Sequence, residues 1–137
     1  MELLLGQKLL AQKEYSKALN IFLNLKASDP SNNEILFYLG LIYFELNNFD
    51  KSIYYYNNFL EKNPNSIKAL YNIAFLKQSI GEIESAKAIY NKLIEKDKNK
   101  VRPYYGLFTL NSNNLNDKEF ENILKLKNNF EHSIFEN

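Results

Sequence analysis

The chain has 137 residues, 45% of them hydrophobic and 24% charged, with a formal net charge of +1. That composition suits one folded domain with a real core and argues against disorder, while the near-neutral balance gives no reason to expect nucleic acid or an anionic membrane as partner. The absence of cysteine excludes disulfides, thiolate metal sites and a cysteine nucleophile, and the single histidine, His132, cannot build a multi-histidine metal site.

At the start of the chain, Met1-Glu2-Leu3-Leu4-Leu5 lacks the basic residues that open a secretory signal, and Gln7, Lys8, Gln12 and Lys13 interrupt the apolar run. The longest apolar stretch, residues 35–44, covers about half of the roughly 20 residues needed to span a bilayer. The expectation is a soluble, cytoplasmic protein without membrane insertion.

The punctuation of the chain repeats every 34 residues: Pro30 and Pro64 share one phase, Gly6, Gly40 and Ala74 a second. The same interval relates Tyr15, Phe49 and Ile83; Ala18, Ser52 and Ala86; Phe22, Tyr56 and Tyr90; and Leu5, Leu39, Ile73 and Leu107. Each period holds two amphipathic patterns. In the second, Leu36, Leu39, Gly40 and Tyr43 fall at i, i+3, i+4 and i+7, and after Asn47-Asn48 the stripe resumes with Phe49, Ile53, Tyr56 and Leu60 until Pro64 stops it. The third runs through Leu70, Ile73 and Ala74, turns at Gly81, and continues through Ile83, Ala86, Tyr90 and Leu93. Small residues at fixed phases let two helices cross closely, and large apolar ones fill the space around the crossing. Helices are also expected at 102–111 and 117–131, where Phe108 and Phe120 replace small residues. Units are thus drawn at about 1–32, 33–66, 67–100 and 101–134, stacked as a single domain because one hairpin cannot bury its apolar face alone.

These residues resemble the tetratricopeptide repeat, whose 34-residue period carries a large apolar residue, Leu-Gly, an aromatic, a small residue, another aromatic and a closing proline. The second unit shows Leu36, Leu39-Gly40, Tyr43, Ser52, Tyr56 and Pro64; the first shows Leu5-Gly6, Leu9, Ala18, Phe22 and Pro30; the third has Lys98 where proline is expected. The resemblance implies an all-α, right-handed solenoid of stacked antiparallel helix hairpins, in which first helices line a concave groove. Carried over position by position, that groove presents Leu3, Gln7 and Leu10, then Glu34, Phe37, Tyr38, Leu41 and Phe44, then Lys68, Tyr71, Asn72, Phe75 and Gln78, and lastly Arg102, Tyr105 and Thr109. Some family members clamp a terminal carboxylate with lysine, asparagine and arginine; here Asn72 falls on one such position, but Phe37, Leu41 and Gly106 occupy others.

Residues 35–44 are apolar nearly all round, so more than one face must be covered. Leu36, Leu39 and Tyr43 are expected to face the hairpin partner, which leaves Phe37, Leu41 and Phe44 for neighbouring units or a ligand. Tyr54 and Tyr55, just before the core position Tyr56, read as surface tyrosines, with an outer contact patch as the alternative. No glycine-rich phosphate loop, metal-spaced cluster or nucleophile–base pair is visible, so neither a cofactor nor an enzymatic activity is expected. The sequence points to a module that holds a protein or peptide segment, with Phe37, Tyr38, Leu41, Phe44, Lys68, Tyr71, Asn72, Phe75, Arg102 and Tyr105 as the groove. The alternatives are a stack that self-associates into a homo-oligomer through an end unit, or the repeat portion of a larger protein whose activity lies elsewhere.

Overall fold

The computed structural model describes residues 1–110 together with residues 121 and 125. Among them are seven helices and no strand: α1 (Glu2–Ala11), α2 (Tyr15–Ser28), α3 (Asn33–Glu45), α4 (Phe49–Lys62), α5 (Ile67–Ser79), α6 (Ile83–Lys96) and α7 (Val101–Leu110). The second helix expected at 117–131, with Phe120, and also His132 lie outside the described residues. The chain forms two compact units, Met1–Leu76 and from Lys77 onward, so the division falls within α5.

Local chemistry sets the helix boundaries with the same period as the sequence. The residues after the first helices, Lys13, Asn47 and Gly81, all have positive φ, of 60°, 59° and 85°. Each begins a paired closure. The amide of Lys13 donates to the Leu10 carbonyl and that of Glu14 to Leu9; Asn47 and Asn48 repeat this on Phe44 and Tyr43, and Gly81 and Glu82 on Gln78 and Lys77. This is the Schellman arrangement, in which a left-handed residue lets the last carbonyls of a helix find donors. Only the third turn uses the residue type that adopts this conformation without steric cost. Second helices also stop in phase: Asp29, Asn63 and Asp97 donate to the carbonyls of Leu25, Phe59 and Leu93. The α6 helix therefore ends like α4 although Lys98 stands in place of proline. Asn32, Asn48 and Ser66 cap the next helix starts, accepting from the amides of Glu34, Lys51 and Ala69.

In the first unit α1 packs on α2, α2 on α3 and α3 on α4. The α3–α4 pair is antiparallel, since Phe37 meets Phe59 and Tyr56, Tyr43 meets Tyr55, and Phe44 meets Phe49. Small residues sit where the helices cross. A Cβ on Gly6 would lie 2.7 Å from the Phe22 ring, and one on Gly40 would lie 2.8 Å from the Tyr56 ring. Ser52 is fully buried, and its hydroxyl donates to the Gly40 carbonyl at 2.6 Å. Ala18, Phe22, Ile35, Leu39, Ile42, Tyr43 and Tyr55 form one core cluster. Tyr55 thus corrects the surface reading. It is 8% exposed, stacked on Tyr43 at 5.4 Å with the Lys26 ammonium 4.9 Å from its ring centre, whereas Tyr54 is 56% exposed.

In the second unit α6 packs on α7. Tyr90 is completely buried, and Gly106 lies so close that a Cβ there would be 2.3 Å from the ring. The Tyr90 hydroxyl donates to Gln78 Oε1, Gln78 Nε2 donates to Thr109 Oγ1, and Thr109 Oγ1 donates to the Gly106 carbonyl. This chain of bonds holds the end of the ring against the helix that crowds it.

Candidate docking surface

The first-helix residues named from the sequence separate into those that build a wall and those that remain on it. Three side chains of the first unit reach the next first helix at a spacing of 31 residues, one turn less than the repeat. Gln7 Nε2 donates to the Tyr38 hydroxyl at 2.8 Å, the Lys68 ammonium lies 4.5 Å from the centre of the Phe37 ring, and Phe44 meets Phe75 at 5.5 Å. Gln78 and Thr109 repeat the spacing inside the second unit.

A second set of contacts spaces 16 residues apart and links a second helix to the following first helix. Phe22 stacks on Tyr38 at 4.9 Å, Tyr56 accepts a hydrogen bond from Asn72 Nδ2 at 3.1 Å, and Tyr90 fills the space over Gly106. Burial pushes the Tyr56 phenol well above the ordinary tyrosine range, and the bond from Asn72 offsets part of that rise.

These contacts decide what each expected groove residue can do. Phe37 is buried, edge-on to Tyr38, Tyr56 and Phe59, with Lys68 over it. It supports the wall and offers no face to a ligand, a correction to its expected place in the groove. Tyr38, Leu41 and Phe44 are half-buried, as are Tyr71 and Asn72; Lys68 is exposed. Phe75 is 43% exposed while its ring rests on Phe44. The first unit therefore brings Phe44, Tyr71, Asn72 and Phe75 together with the stem of Lys68 on one side of α3 and α5. In the second unit Arg102 and Tyr105 are exposed on α7, Tyr105 at 62%.

The carboxylate-clamp positions are occupied by packing. Phe37 is enclosed, the Asn72 amide is held by Tyr56, and Gly106 has no room for any side chain, let alone arginine. The spacings of 31 and 16 were present in the sequence as pairs of residues. A 34-residue period relates equivalent positions and leaves inequivalent ones unjoined, so the repeat alone does not reveal them. Among the described residues no group of three His, Cys, Asp or Glu side chains could hold a metal ion, and no helix is long and apolar enough to cross a membrane.

The family profile described as tetratricopeptide repeat matches residues 33–66, and a second profile of the same description matches 68–99. No curated protein matches the chain by sequence. Among solved structures, MamA from Desulfovibrio magneticus RS-1 superposes with a TM-score of 0.79 at 14% identity, covering 90% of this chain and 72% of that one. A tetratricopeptide repeat protein from Parabacteroides merdae gives 0.70 at 22% identity, over 95% of this chain and 50% of that one. The first such domain of Spaghetti, bound to an HSP90 peptide, gives 0.70 at 21% identity, over 78% of this chain and 85% of that domain. Residues 33–66 and 68–99 match the tetratricopeptide repeat, and the helical fold is that of the tetratricopeptide solenoids.

Proposed function

We propose that the chain is a protein-interaction module that takes a peptide or protein segment on the first-helix side of its first unit, with Phe75, Phe44, Tyr71, Leu41 and Lys68 as the contact residues. The observation that carries this reading is the exposed Phe75 ring, laid on the half-buried Phe44. A phenyl ring left 43% open costs solvation, and aromatic side chains with one face already fixed make good anchors because little rotamer freedom remains to be lost. Arg102 and Tyr105, exposed on α7, would serve the same role in the second unit.

The Spaghetti domain shows that a module of this fold holds a peptide. Here the ligand would be gripped through apolar side chains and not through its terminal carboxylate, because the clamp positions hold Phe37, Leu41 and Gly106. The role is binding and not catalysis. The test is affinity capture from the native cell with the wild-type chain and with Tyr71→Ala/Phe75→Ala, whose folding is checked by circular dichroism. Loss of specific partners from the double variant is expected. Retention of every partner by a folded double variant would overturn the assignment.

A further inference from the structure

The chain departs from its own repeat at three positions that the first unit brings together. Lys26 stands at a phase that elsewhere holds the half-buried Leu60 and Ile94, and Tyr54 at one that elsewhere holds Asn20 and Ala88. Lys51 repeats Lys17, but the acid that neutralises it is gone. Lys17 pairs with Glu14 at 3.2 Å, whereas the residue three before Lys51 is Asn48, whose side chain accepts from the Lys51 amide and caps α4. All three departures meet at one pair of rings. Tyr43 and Tyr55 are buried and stacked, with planes 2° apart. The Lys51 ammonium lies 5.1 Å from the centre of the Tyr43 ring and the Lys26 ammonium 4.9 Å from that of Tyr55. The exposed Tyr54 ring stands edge-on to Tyr55 at 5.2 Å.

We propose that this surface of α2 and α4 is a docking site for an acidic peptide segment, with Lys26 and Lys51 receiving its carboxylates and Tyr54 an adjoining apolar side chain. A ring holds an ammonium in place without cancelling its charge, as a carboxylate would. Among the described residues the ion pairs join Lys17 to Glu14 and Lys77 to Glu82, and none reaches Lys26 or Lys51. Two whole charges are thus positioned and uncompensated, and part of the rotamer freedom that binding would remove is already given up. A peptide fits this site better than a nucleic acid. Affinity for nucleic acid grows with the number of phosphates contacted, and here two cations are flanked by the exposed Asp29 and Asp50, which would repel a longer phosphate track. The site shares no residue with the Phe75 surface and does not depend on it.

The test is titration of the full isotope-labelled chain, followed by amide NMR, with the six-residue peptide Glu-Glu-Leu-Phe-Glu-Glu, acetylated and amidated so that only side-chain carboxylates act. Binding on the order of 1 mM is expected, with the largest shifts at the amides of Lys26, Lys51, Tyr54 and Tyr55. Lys26→Gln/Lys51→Gln should weaken it about tenfold, and Tyr71→Ala/Phe75→Ala should leave it unchanged. Two arms require no change to the protein: the peptide with glutamine in place of every glutamate should bind about tenfold more weakly, and raised salt should weaken the acidic peptide alone. Equal binding of the two peptides, or shifts centred on Tyr71 and Phe75, would overturn the proposal. So would tighter binding of a ten-nucleotide thymidine strand at the same amides, since a nucleic acid would then be the occupant.

Discussion

Gly106→Ala sets two well-measured effects against each other. In a helix interior the change favours folding by about 1 kcal/mol through backbone entropy alone. Here the added Cβ would lie 2.3, 2.5 and 2.7 Å from three atoms of the Tyr90 ring, well inside the ~3.5 Å at which carbon atoms rest against each other. The ring has no room to retreat, being completely buried, and its hydroxyl is tied to Gln78 at 3.0 Å. A retreat of about 1 Å would overpack the core, at about 1–3 kcal/mol, and stretch a hydrogen bond worth about 1 kcal/mol. The net expectation is a loss of about 2 kcal/mol, or a fall of about 8 °C in the thermal midpoint. Thermal melts followed by circular dichroism, with amide exchange in α7, provide the measurement. A variant as stable as the wild type, or more stable, would show that helix propensity wins and that the ring is not held as described.

At Gly81 the space around the Cα is empty but φ is +85°, so Gly81→Ala should cost about 1 kcal/mol through backbone strain alone. Lys13→Gly, at the equivalent turn with φ of 60°, should be neutral or stabilising by up to about 1 kcal/mol; urea denaturation reads both. Tyr55→Ala should cost about 3 kcal/mol, as removal of a buried ring does, while Tyr54→Ala should stay within about 0.5 kcal/mol; a reversed order would refute the stacking of Tyr55 on Tyr43. The pH dependence follows from Tyr56, whose phenol is pushed up from its ordinary 10.0 chiefly by burial. Below that value the phenol is neutral in both states; above it the unfolded chain releases its proton first, and stability falls as pH rises toward the folded value. Tyr56→Phe should therefore lose less stability than the wild type between about pH 9 and about pH 11, as read from urea midpoints.

The repeat was legible because packing forces it. Gly6 and Gly40 recur at the interval at which Phe22 and Tyr56 recur, and each glycine lies under its own ring. Helix positions followed from the same periodicity, with α3 and α7 within two residues of the expected limits. Side-chain direction on an apolar helix was harder to read. Residues 35–44 offer no polar side from which to orient the rest, so Phe37 could be placed toward a ligand when it points into Tyr56 and Phe59. Tyr55 was hidden by its neighbours: three tyrosines in a row carry no contrast in polarity, and only the opposing Tyr43 selects the middle one for the interior. The left-handed turn at Lys13 escaped because lysine does not signal it as Asn47 and Gly81 do.

The ring that each second helix sends forward meets a different surface each time: the face of Tyr38, the amide of Asn72, the bare backbone of Gly106. Three second helices therefore meet three unlike joints. A Tyr90-type joint cannot accept the side chain of residue 72, and Phe22 could not use the amide that Tyr56 accepts from, lacking the hydroxyl. Transposing two hairpins within the chain would leave a void at one seam and a clash or an orphaned amide at the other. The order of the hairpins is thus written into the seams themselves, and an alternative in which one hairpin slips past its neighbour by a full period is penalised locally, before any partner is bound.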